Sequence, residues 1–128
     1  MSINFKREIS DTFDRAIERA TKALGAEGFG VLTRIDMHSK IKEKTAKDIV
    51  PTVILGACNP NLAYEAYTAN SDVASLLPCN AVIREIAPGR VSLEFAKPTG
   101  MMQILGDAGL TELAKEADAK IERALLNA

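Results

Sequence analysis

A tight turn constrains this chain more than any other feature. Ala87-Pro88-Gly89-Arg90 stands between Cys79-Asn80-Ala81-Val82-Ile83-Arg84-Glu85 and Val91-Ser92-Leu93-Glu94-Phe95, two segments with the residue types of strands. A connection this short joins antiparallel neighbours, because parallel strands need a crossover of a dozen or more residues. An all-parallel sheet is therefore a poor fit. The remaining elements must be arranged around an antiparallel hairpin.

Upstream, Ile3 to Ile9 alternates apolar and polar residues and reads as a half-buried strand. Ser10 offers an N-cap oxygen, and Phe13, Ala16, Ile17, Ala20, Ala23 and Leu24 then recur at helical spacing until Gly25 stops the run. Gly28 to Asp36 reads as a strand with Phe29, Val31, Thr33 and Ile35 on alternate positions. The lysine-rich segment His38 to Asp48 predicts a short exposed helix followed by a mobile loop. Thr52 to Cys58 is nearly all apolar and predicts a buried central strand. Asn59-Pro60 starts the next helix, since asparagine caps and proline fits the first turn. A short helical piece follows from Ser71 to Leu77, and Pro78 ends it. A further helical turn is expected around Met101 and Met102. The longest amphipathic pattern runs from Leu110 through Leu113, Ala117 and Ile121 to Leu125. The expected fold class is α+β, an antiparallel sheet of about five strands with two long helices on one face.

A chain of 128 residues is read as a single domain, residues 1–128, able to bury a core without disulfides or a structural metal. A net charge of −1 argues against a nucleic-acid or anionic-membrane partner held by bulk charge. No apolar run approaches ~18 residues, so no membrane span is expected. The first residues, Met-Ser-Ile-Asn-Phe-Lys-Arg-Glu, lack the apolar core of a signal peptide. Two cysteines are too few for a secreted disulfide scaffold, so the expected compartment is the cytoplasm.

The chemistry concentrates between Ile54 and Glu85. Cys58-Asn59-Pro60 lies between a strand and a helix, and Cys79-Asn80 opens the next strand. If those strands are antiparallel, Cys58, Asn59, Cys79 and Asn80 meet at one edge of the sheet as a small polar site with two soft ligands. Cys58 would adjoin a helix N-terminus, which favours a thiolate. Against this stands the plainer reading, in which both cysteines are small buried hydrophobes and Asn59 is a cap. A zinc site needs about four ligands, and only Cys58, Cys79 and His38 are of the preferred type, so no metal is assigned. His38 reads as a solvated surface residue. Met101 and Met102 supply thioether sulfur, though such a pair more often fills an irregular gap in a core or at a subunit contact. The Gly28-Phe29-Gly30 segment precedes a strand rather than a helix, which rejects a dinucleotide fingerprint.

Three ordered segments carry a family resemblance over nearly the whole chain: Gly28 to Asp36, Ile54 to Pro60, and Leu76 to Asn80. They resemble the signature segments of the domain-of-unknown-function 302 family. The resemblance implies a curved antiparallel sheet of TATA-box-binding-like topology, and homodimers. It implies no DNA binding, since function rests on the site rather than the fold. It leaves activity and cofactor unknown, because the family has no established activity. The chain departs from the family pattern at Thr45 to Pro51 and at Lys97-Pro98, where an acidic residue is expected before proline. Three readings are open. The first is a homodimeric small-molecule or metal-binding module with its site at the paired Cys-Asn motifs. The second is a structural or regulatory dimer without a ligand, and the third is a thiol-based redox enzyme using Cys58.

Overall fold

The computed structural model describes residues 3–128. Five strands form one sheet: β1 (Asn4–Ser10), β2 (Gly30–Asp36), β3 (Thr52–Cys58), β4 (Cys79–Ala87) and β5 (Arg90–Ala96). Their order across the sheet is β1-β5-β4-β3-β2, and every neighbouring pair is antiparallel. The fold is α+β, as the turn between β4 and β5 demanded. Gly89 takes φ +78° in that turn, a left-handed value that suits glycine.

The helices are α1 (Phe13–Ala26), α2 (Met37–Thr45), α3 (Pro60–Ala69), α4 (Pro98–Met102) and α5 (Thr111–Asn127). Short 3-10 segments lie at Ser71–Leu76, Gln103–Leu105 and Ala108–Leu110. The long helices α1 and α5 pack together against one face of the sheet. There Ala16, Ile17, Ala20 and Leu24 of α1 meet Val53, Leu55, Ile83, Leu93 and Phe95 of the strands and Ile121, Ala124 and Leu125 of α5. Each large side chain so buried stabilises the fold by about 1.5–3 kcal/mol.

The ends of α1 differ from expectation. Thr12, not Ser10, is the cap, and its Oγ1 accepts from the Arg15 amide at 3.2 Å. Ser10 is still paired in β1 with Arg90. Asp11 meets Arg19 at 3.0 Å, which holds its carboxyl below the usual range. Gly25 lies inside the helix. The chain leaves at Gly28 (φ +85°), where the Phe29 amide donates to the Leu24 carbonyl at 2.9 Å and closes the last turn.

The alternation expected along β2 also breaks. A register shift between Val31 and Thr33 puts Thr33 and Ile35 on the face opposite to Val31. His38, expected in solvent, is half-buried instead: its Nδ1 lies 3.0 Å from the Thr52 amide, and its ring meets Phe13 edge-on at 6.1 Å. α2 buries none of its own residues, and His38 near its start reaches back to β3.

At the far side of the sheet, the first strand and the last helix are tied. Arg7 Nη1 donates to the carbonyls of Leu125 and Leu126 at 2.9 Å and of Ala128 at 3.0 Å, satisfying acceptors that a helix end leaves open. On the face away from the helices, Ile35, Ile54, Val82, Glu94 and Lys6 form one cross-strand row, and Thr52, Arg84, Ser92 and Glu8 form the next. Glu94 accepts from Arg84 Nη1 at 2.9 Å and from Ser92 Oγ at 3.1 Å, with Lys6 at 4.0 Å. Among the described residues no helix is long and apolar enough to cross a membrane.

Candidate functional site

The antiparallel pairing of β3 with β4 sets Ala57 opposite Cys79 and Gly56 opposite Asn80. The end of one strand therefore adjoins the start of the other, and Cys58, Asn59 and Cys79 come together as the sequence predicted. They border a cavity of about 50 Å³ beneath α3, α4 and α5. Its other walls include Leu62, Ala63 and Ala66 of α3, Met102 of α4, and Ala114 of α5. Asn80 is not part of it. Successive strand residues point to opposite faces, so Cys79 inside the helical layer forces Asn80 outside, where it is exposed.

Asn59 serves as the cap of α3, its Oδ1 accepting from the Leu62 amide at 3.2 Å. A side chain at Gly28 would bring its Cβ within 2.9 Å of Asn59 Nδ2, so glycine there serves the cap as well as the turn. Both cysteines are free thiols. Burial pushes the Cys79 thiol up to about 11 from 9.0, and Cys58 and Asp118 push the same way. Cys79 is therefore a neutral thiol at neutral pH and a poor nucleophile. Cys58 directly precedes the α3 cap.

Two contributors escaped sequence reasoning. Asp118 of α5 accepts from the Thr99 amide at 3.0 Å and from Thr99 Oγ1 at 2.6 Å. These bonds fix the start of α4, the helix that carries Met102 to the cavity. The two residues lie 19 positions apart, and neither belongs to a motif that announces the contact. The second contributor is a wider, open groove of about 670 Å³ beside the cavity, with Lys97, Thr99, Asp107, Lys115 and Asp118 along it. Met102 and Leu110 border both spaces. Lys97 holds its ammonium 4.9 Å above the Phe5 ring on the groove's edge. Among the described residues, no group of three histidine, cysteine or carboxylate side chains is placed to hold a metal ion.

The family model described as a domain of unknown function, DUF302, matches residues 5–128. The chain belongs to the DUF302 family. A solved structure described as an uncharacterized conserved protein DUF302 from Bacillus stearothermophilus is similar at 29% identity and a TM-score of 0.91. The match covers 99% of this chain and 98% of that one. No curated protein matches the chain. In this chain two thiols, a cap and a thioether thus border one small apolar space.

Proposed function

We propose that this DUF302 domain is a homodimeric cytoplasmic binding module that takes a small apolar or thiophilic ligand into the cavity beside Cys58 and Cys79. The cavity itself carries this reading, because sulfurs serving only as packing would leave no space next to them. Its lining is dominated by alanine, leucine, methionine and cysteine side chains, and such spaces stay dry and accept small apolar guests. Support for a second copy comes from the exposed Leu32, Ile35 and Ile86 on the strands. Sedimentation equilibrium tests that part: a monomer at high concentration removes the dimer.

Xenon NMR and thermal shift with small apolar probes test the ligand. Wild-type protein should bind and Ala63→Leu, which fills the space, should not. If neither protein responds to any probe, the cavity is a packing defect and the reading fails. The redox-enzyme reading retains one favourable observation, Cys58 at the start of α3. Iodoacetamide labelling against pH decides it, since a nucleophilic Cys58 would alkylate well below pH ~8.5.

A further inference from the structure

We propose that the cavity is a three-sulfur site for a monovalent soft cation of the copper(I) class, held by Cys58, Cys79 and Met102. This rests on the binding-module reading and narrows its ligand. The three donors come from three elements, the end of β3, the start of β4 and the end of α4, yet all line the same space of about 50 Å³. Two free thiols and a thioether are the ligand set that selects copper(I) over harder ions. Among the described residues no carboxylate and no histidine lines the cavity, so magnesium and calcium find no oxygen cage. The Asn59 Oδ1 is already taken by the Leu62 amide, and zinc lacks its fourth ligand.

As the cation binds, both thiols release their protons to solvent and form metal–thiolate bonds, since the thiolate is the form of cysteine that ligates a metal. Met102 coordinates as a neutral thioether, and no electron is transferred. The Asp118–Thr99 bonds hold α4 so that Met102 stays at the cavity, and the adjoining groove gives the ion its way in between Met102 and Leu110.

The test is anaerobic titration of the reduced protein with copper(I) against a chromophoric copper(I) chelator, repeated with silver(I). Wild-type protein should take one equivalent. Cys58→Ser and Cys79→Ser should each lose this binding. Met102→Leu should weaken it about tenfold or more, since even outer partners of metal ligands are worth that much. Circular dichroism confirms that each variant is folded, and a second readout needs no variant. One equivalent of silver(I) on the wild type should protect both cysteines from iodoacetamide, as mapped by mass spectrometry. Met102→Leu binding as tightly as wild type, or protection of one cysteine alone, overturns the proposal. So does absence of copper(I) binding in protein that still admits xenon, a result that leaves the broader cavity reading intact.

Discussion

On the helix-covered face of the sheet, Val53, Leu55, Ile83 and Leu93 are sealed by α1 and α5. On the open face the same strands present Thr52, Ile54, Arg84 and Glu94. On that second face Glu94 is nonetheless only 6% exposed. Its cover comes from long neighbours that lie across it, with Arg84, Ser92 and Lys6 supplying hydrogen bonds and charge. The covered face is thus held by apolar area, and the open face by paired polar groups whose net contribution is small. The two thiols line the cavity on the helix-covered side.

The largest effect is expected from truncating the covered face. Leu93→Ala should lower unfolding free energy by about 3–4 kcal/mol in urea titrations, the usual cost of a cavity in a packed core. A loss below 1 kcal/mol would mean that the helices do not seal that face.

The Cys79 thiol gives the next effect, and its sign follows from proton binding. Its proton is held more tightly in the folded state, up to about pH 11, than at the ordinary value of 9.0. Stability from this group is complete below pH 9 and falls as pH rises toward 11, by on the order of 2–3 kcal/mol. The difference between wild type and Cys79→Ser across that window isolates it from the tyrosines and lysines that titrate alongside. Parallel curves would place the thiol in water rather than under α3.

The open face has one crowded point. A Cβ at Gly56 would collide with Thr33 Oγ1 and come to 2.7 Å from Pro78 Cγ. Gly56→Val should therefore cost about 1–3 kcal/mol, read as a lowered melting temperature. Thr33→Ala in the same background should recover part of it. Smallest of all, Arg84→Ala should cost about 1 kcal/mol and lose part of that cost at high salt, because the Arg84 side chain is 40% exposed. A cost equal to that of Leu93→Ala would erase the contrast between the faces.

Much of this was legible in the residues. The hairpin turn, the apolar β3 run, the Asn59-Pro60 start and the long pattern of α5 are local signals, and each marks its element with small boundary errors. The meeting of Cys58 with Cys79 followed from one antiparallel pairing. What escaped was non-local or one residue out of phase. The bulge in β2 reverses the sides of Thr33 and Ile35 without any glycine to mark it. Adjacent residues of β4 face opposite ways, which parts Asn80 from Cys79. The lysines around His38 suggest solvent, whereas its partners Phe13 and Thr52 are brought to it by the tertiary fold. The Thr99–Asp118 contact depends on how α4 lies across α5, which periodicity does not encode.

The clasp between Arg7 and the Leu125 carbonyl joins positions 118 residues apart. On a ribosome, β1 emerges well before β5 gives it a partner and α5 gives its arginine an acceptor. During that delay β1 is an orphan ribbon with both edges bare, the stage of biogenesis at which a nascent chain of this kind most needs shielding from its neighbours.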